Sequence, residues 1–283
     1  MTTGAGRIET LYRYPVKSML GDAVASTEIG ERGLTGDRAY ALVDEETGKV
    51  VSAKNPRRWA TLFECHAAFV AEPRAGAEIP PVRITLPDGS HVESDDAAVN
   101  ATLSRAVGRA VRIESKPADG AVLESLSPIV EGIEGAEVET LSDGPIAVVA
   151  PGTYFDAAPL HVVTTATLAR LGALAPDSAF PAQRFRPNVV VAVDDEPGFV
   201  ENDWVNHTMT FGGVAASVFL AAPRCIMTTL AQPGLPRDPG VLQTITRYNR
   251  FDIPGLGPSS CVGVYALVTT PGSTSTGDAV EIA

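Results

Sequence analysis

Residues 223 to 229 read PRCIMTT, so Cys225 follows Arg224 directly and precedes a short run from apolar to hydroxyl side chains. A guanidinium beside a thiol favours the thiolate, the form that attacks electrophiles and binds soft metals. From these seven residues alone, an inert thiol packed at a strand end reads equally well. Cys65 in LFECHAAF and Cys261 in CVGVYALV sit in apolar runs without a cationic neighbour, which suits buried, unreactive thiols. Three cysteines so widely spaced make neither a disulfide framework nor the four-thiolate set of an iron–sulfur cluster. His66, His91, His161 and His207 are scattered without chelating spacing, and His161, inside an apolar run, reads as a satisfied core residue. The chain lacks G-x-x-x-x-G-K-[ST], G-x-G-x-x-G after a strand, H-E-x-x-H and G-x-S-x-G, so the common nucleotide, zinc-protease and hydrolase readings lose their main support.

Cys225 must be delivered by the β-like run HTMTFGGVAASVFLAAPRC that ends on it. Upstream, RAYALVDEETGKVVSA reads as a hairpin over residues 38–53 turning at Gly48, and VRITLPDGSHVES as a second one turning at Asp88-Gly89. Val99, Leu103, Ala106 and Val107 share a helical face that Gly108 ends, and AVRIES returns as a strand. Residues 64–115 therefore read as a small β-β-α-β subdomain. Residues 117–145 are acidic, contain no Lys or Arg and are punctuated by Pro and Gly, which suits an exposed connector or a lid. Beyond them PLHVVTT runs into the helical ATLARLGAL, and RPNVVVAVDD is a run of the doubly buried strand type. RDPGVLQTITRYN has Asp238 as N-cap and Pro239 at the first helical position, and CVGVYALV and VEI close the chain as strands. The fold class is mainly β with a few short helices, without the β-α alternation of a doubly wound sheet.

A net charge of -12 and a pI near 4.8 argue against nucleic acid as a partner, and any anionic ligand needs a local basic exception. Mean hydropathy is +0.09, yet no stretch approaches the roughly 18 uninterrupted apolar residues of a membrane helix. MTTGAGRIET has no apolar signal core, so the expectation is a soluble, cytoplasmic protein without membrane partners. The length allows one large domain or two modest ones.

Five segments together resemble the MOSC family in its two-part form with an N-terminal MOSC region: LYRYPVKSM, GERGLTGDRAYALVDEETGKVVSAKNPR, FDAAPLHVVTTATL, FRPNVVV and PRCIMTT, in the family's order. Within the family the chain looks most like the group containing the mitochondrial amidoxime-reducing components and their bacterial relatives. The resemblance implies a MOSC-type β-barrel with residues 1–120 as the N-terminal region and 146–283 as the core domain, joined by the acidic connector 117–145. Residues 1–60 are expected to pack into that barrel, because Lys17, Ser18 and Arg38 can reach a cofactor on Cys225 only if their strands join it, while 64–115 project as a separate lobe.

Residue by residue, the resemblance makes Cys225 the molybdenum ligand and catalytic centre and Arg224 its cofactor-contacting neighbour. It puts Lys17, Ser18 and Arg38 against the phosphate and ring system of a molybdopterin, with Asp156, Arg186 and Asn188 as further cofactor contacts. Pro223 stands where vertebrate members carry a serine. The physics is compatible, because Lys17, Arg38, Arg186 and Arg224 could form the basic exception that an anionic cofactor needs. The implied activity is two-electron reduction of N-hydroxylated or N-oxide compounds by oxygen-atom transfer to molybdenum. With no haem-attachment, dinucleotide or iron–sulfur motif, electrons are expected from a separate protein, whether a flavin reductase, a ferredoxin or a b-type cytochrome. A non-catalytic cofactor carrier and a persulfide carrier using Cys225 remain as alternatives.

Overall fold

The structure, a computed structural model, describes residues 3–130, 138–146, 150–194 and 197–283. Its centre is a barrel of seven strands, numbered here in chain order: β1 (Thr3–Arg13), β2 (Leu160–Thr164), β3 (Val189–Ala192), β4 (Thr208–Phe211), β5 (Val214–Pro223), β6 (Gly257–Thr270) and β7 (Ala279–Ile282). The ladder runs β2-β3-β1-β7-β4-β5-β6, and β6 pairs back onto β2, so no barrel strand keeps a free edge. Of the barrel pairs only β2 and β3 run parallel, and the helix Thr165–Leu174 crosses over between them. Alternation sets the two faces. Leu160 and Val162 of β2 point inward with Val189, Val191, Phe211, Val264 and Val280, while Val163 points outward beneath Leu171, Val241 and Ile245 of the covering helices. That double burial is why RPNVVVAV reads as an unbroken apolar run. Gly6 lets β1 change partners: its φ is 152°, and a Cβ there would lie 2.1 Å from the Ala192 carbonyl oxygen.

A second core lies beside the barrel. Strands His66–Phe69, Val82–Thr85 and His91–Glu93 form a sheet covered by the helix Val99–Val107, and Asp88-Gly89 makes the expected turn with Gly89 at φ 83°. This lobe is larger than the sequence predicts. Val16, Met19, Leu42, Val51 and Trp59 bury into the same core as Cys65, Ile84 and Leu103. Of residues 1–60, only β1 is one of the seven barrel strands, and Ile29 and Leu34 pack against the barrel's interior cluster. Strand Val111–Glu114 does not extend the lobe's sheet; it pairs with Ala41–Asp44.

The acidic connector also differs from expectation. Val122–Ser127 and Thr140–Pro145 pair as an antiparallel ribbon that buries Leu123 and Leu126. Its carboxylates find cations upstream: Lys49 reaches Glu124 at 3.1 Å and Asp143 at 2.8 Å, Asn55 donates to Glu124 at 2.8 Å, and Arg57 pairs with Glu139. Residues 131–137 of the connector lie outside the described residues. Among the described residues, no helix is long and apolar enough to cross a membrane.

Candidate functional site

Three segments meet at one end of the barrel. Residues 14–17 run beside 38–40, because Arg38 N donates to Tyr14 O, Tyr40 N to Pro15 O and Lys17 N to Tyr40 O. Residues 186–188 are tied between β1 and β2, since Tyr12 N donates to Asn188 O and Asn188 N to His161 O. Arg224 and Cys225 leave the end of β5, where Arg224 N donates to Ser260 O at 2.7 Å. Four non-glycine residues among those described take a positive φ, and three of them are Ser18 (66°), Arg38 (46°) and Arg186 (54°). Backbone strain of this kind costs on the order of 1–3 kcal/mol per residue and persists only where the surroundings over-determine it. Here it collects at the residues the sequence singled out.

The side chains form a connected cluster. Lys17 Nζ, buried, donates to the Tyr154 carbonyl at 2.7 Å and to Asp156 Oδ1 at 2.5 Å. Lys54 Nζ reaches the other carboxylate oxygen of Asp156 at 3.2 Å. Burial pushes the Asp156 carboxyl up, but the two ammonium groups outweigh it and hold the group well below the usual carboxylate range. Burial lowers the pKa of Lys17, and Asp156 only partly opposes that. For Lys54 the balance reverses: burial opposes its charge, yet Asp156 and Cys225 together raise its pKa. Lys54 thereby links the Lys17–Asp156 pair to the thiol.

Arg38 and Arg186 both lie over the Tyr14 ring, their guanidinium carbons 4.5 Å and 4.2 Å from its centroid. Arg38 pairs with Asp37 and donates to the Arg186 carbonyl at 3.2 Å; Arg186 Nη1 donates to the Met19 carbonyl at 2.7 Å. Burial, with Arg38 close by, pulls the Arg186 pKa down to about 10, so it remains a cation near neutral pH. Arg224 Nη2 donates to the Phe185 carbonyl at 2.8 Å, and its Nη1 lies 3.2 Å from Nε2 of His161. His161 is buried as expected, with Nε2 3.0 Å from the Val262 carbonyl, but it also abuts the site; burial and then the Arg224 charge hold its pKa well below the ordinary value, leaving it neutral.

Each sequence-predicted residue lies in or against this cluster, in unequal roles. Cys225 is a free, half-buried thiol at the start of the short helical turn Ile226–Thr229. Cys65 and Cys261 are fully buried, and burial pushes their thiols up to about 11 and about 12. Ser18 Oγ accepts from Ala53 N and so fixes the backbone next to Lys54. Asn188 is spent inside the protein: Nδ2 donates to Asp37 at 2.9 Å and Oδ1 accepts from His161 N, which makes it a support for Asp37 and hence Arg38. Sequence reasoning missed Lys54, Tyr14 and Asp37. All three lie within the segments SAKNPR, LYRYPVKSM and GDRAY, whose charged and aromatic content was the available signal.

Five cations (Lys17, Arg38, Lys54, Arg186 and Arg224) thus meet two carboxylates, Asp37 and Asp156, in a chain of net charge -12. Two of their buried donors, Arg186 Nη2 and Arg224 Nε, have no partner among the described residues. A buried N–H without an acceptor is costly, so an anion with several oxygen or ring-nitrogen acceptors fits this cradle. Among the described residues no cluster of three His, Cys, Asp or Glu could hold a metal, so a metal at Cys225 would take its other ligands from a bound group.

The sequence matches the MOSC N-terminal beta barrel domain over residues 5–103 and the MOSC domain over residues 150–281. The mitochondrial amidoxime reducing component 2 of Rattus norvegicus is 24% identical over 97% of this chain and 82% of its own length. The mitochondrial amidoxime-reducing component 1 of Homo sapiens is 25% identical over 98% of this chain and 83% of its own length. Among solved structures, the YUAD protein from Bacillus subtilis aligns with a TM-score of 0.47 at 12% identity, over 100% of this chain and 97% of that one.

Proposed function

Because the chain belongs to the MOSC family, in the two-part form that carries an N-terminal MOSC domain ahead of the MOSC domain, we propose that it holds a molybdenum–pterin cofactor on Cys225 and reduces N-hydroxylated or N-oxide compounds. The observation that carries this reading is the pair of buried guanidinium donors without acceptors, on Arg186 and Arg224, beside a free half-buried thiol. When bound, the cofactor supplies a two-electron metal centre that accepts one oxygen atom. The overall balance is an N–OH compound plus two electrons and two protons giving the N–H compound and water, or an N-oxide plus two electrons and two protons giving the amine and water.

The protein's own part is binding and electrostatics. Cys225 offers one soft thiolate, a ligand type suited to a metal already held by sulfur. Arg186 Nη2 and Arg224 Nε, already desolvated, donate to phosphate or ring acceptors at little further cost. Lys17 uses two of its three donors on Tyr154 and Asp156 and keeps one for an anion. Asp156, held ionised by its two lysines, accepts from pterin N–H groups. Asp37 and Asn188 act one step back by fixing the Arg38 guanidinium over Tyr14. Electrons come from a separate donor protein, such as a flavin reductase, a ferredoxin or a b-type cytochrome.

The test is protein purified from a host that makes the cofactor, assayed for molybdenum, pterin and amidoxime reduction. Near-stoichiometric metal and pterin are expected, with turnover on dithionite or reduced viologen and none on NADH or NADPH alone. Cys225→Ala should alter the molybdenum spectrum and abolish turnover. Loaded protein that stays inactive with a strong reductant would be a carrier instead, and metal-free protein bearing a persulfide on Cys225 would be a sulfur carrier.

A further inference from the structure

A cavity of about 510 Å³ opens between the turn at residues 30–36, the loop 74–79 and the segment 152–155. It touches the site described above at Asp37, Arg38 and Tyr154, but Lys17, Asp156, Arg186 and Cys225 are not among its walls. Arg32 and Arg74 line it, and neither guanidinium has a hydrogen bond or a carboxylate partner among the described residues. Arg13, Arg38, Arg57, Arg58, Arg83, Arg109 and Arg112 are paired with carboxylates, whereas both arginines on this cavity keep their donors open. Both side chains are exposed, so their donors are open to an anion that enters the cavity from solvent.

Both arginines stand on fixed backbone. Ala75 N donates to the Glu28 carboxylate at 2.8 Å and Ala77 N to the Arg74 carbonyl at 3.2 Å, which pins the turn bearing Arg74. The Arg32 guanidinium lies over Gly152: a Cβ at that glycine would sit 3.7 Å from Nη2 and 3.8 Å from Nη1. The opposing charges are few. Asp37 is consumed by Arg38, Tyr14 N and Asn188, which leaves Glu31 as the cavity's other carboxylate. Ile79 and Phe155 add apolar wall, and Thr35 and Ser115 add hydroxyls. Guanidinium forks match phosphate oxygens bidentately, and a dianion balances two of them where a carboxylate would not. The volume is that of a small-molecule site.

We propose that this cavity is a second binding site, separate from the one on Cys225, for a phosphate ester of a small organic molecule, with the phosphate between Arg32 and Arg74 and the organic part against Phe155 and Ile79. It goes beyond the reductase reading and does not depend on it. The probe is phenyl phosphate, titrated calorimetrically into the protein as purified with its pterin content measured, and into the cofactor-free protein; phenol is the uncharged control. Phenyl phosphate should bind both forms, phenol neither, and added salt should weaken binding. The double variant Arg32→Gln/Arg74→Gln should lose at least tenfold in affinity with an unchanged melting temperature and pterin content. Absence of binding, or binding that the double variant leaves intact, overturns the proposal. Binding confined to the cofactor-free protein overturns it too, because the cavity would then belong to the cofactor's own site.

Discussion

Asp156 stands between the ammonium groups of Lys17 and Lys54, and removing its charge leaves two cations facing each other in a mostly buried place. Loss of one partner from a fully buried ion pair costs about 3–5 kcal/mol. The Asp156 side chain is 33% exposed, so Asp156→Asn should cost less, on the order of 2 kcal/mol near neutral pH. The folded carboxyl titrates below its unfolded value, so it adds stability at every pH above the unfolded value of about 4 and loses that contribution as pH falls further. Thermal melts of wild type and variant should therefore converge progressively below about pH 4; a constant gap down to the acid limit would contradict the assignment. Lys54→Met should lower retained pterin and amidoxime turnover by about tenfold, the size of one lost charge-assisted contact, with Lys54→Arg restoring most of the retention. The residue scale also shows where sequence reading stopped. Lys54, Tyr14 and Asp37 lay inside the quoted segments, but contact of one ring with two guanidiniums and a hydrogen bond from Asn188 are decided by folding and have no local signature.

At the scale of elements, the acidic ribbon is the instructive case. Its composition reads as a connector because the cations that hold it, Lys49, Arg57 and Arg58, lie far upstream in sequence. Its Leu126 packs with Phe63, Ile226 and Leu230, so it supports the turn that follows Cys225. Leu126→Ala should cost about 3 kcal/mol, the middle of the range for a buried leucine, and should shed cofactor faster during gel filtration. A variant with the lowered melting temperature but normal retention would separate the ribbon from the site. The barrel strands, by contrast, were readable wherever burial on both faces or strict alternation left a pattern, as in RPNVVVAV and HTMTFGGVAASVFL. The Asp238 cap was readable for the same local reason, and its carboxylate does accept from Gly240 N at 2.9 Å.

For the molecule as a whole, the site is a seam: Lys17, Arg38 and Lys54 come from the first part of the chain, and Asp156, Arg186, Arg224 and Cys225 from the second. A fragment 146–283 lacks β1 and so exposes the edges of both β3 and β7. It should be insoluble when made alone and recover solubility when fragment 1–145 is made with it; a soluble, monomeric 146–283 would count against closure by β1. With a donor protein of basic surface, the reduction rate should fall as ionic strength rises, because the chain's charge of -12 steers the encounter. The pairing of Thr3 with Ile282 in that same barrel sets an order of events on the ribosome. β1 emerges first and its partner β7 last among the barrel strands, so at the usual speed of translation β1 waits on the order of tens of seconds with a bare edge. The lobe, whose contacts span shorter stretches of chain, can form in that interval. The barrel can close only once β7 has followed the other six strands, so the cradle around Cys225 is completed after both of the segments that build it have been made.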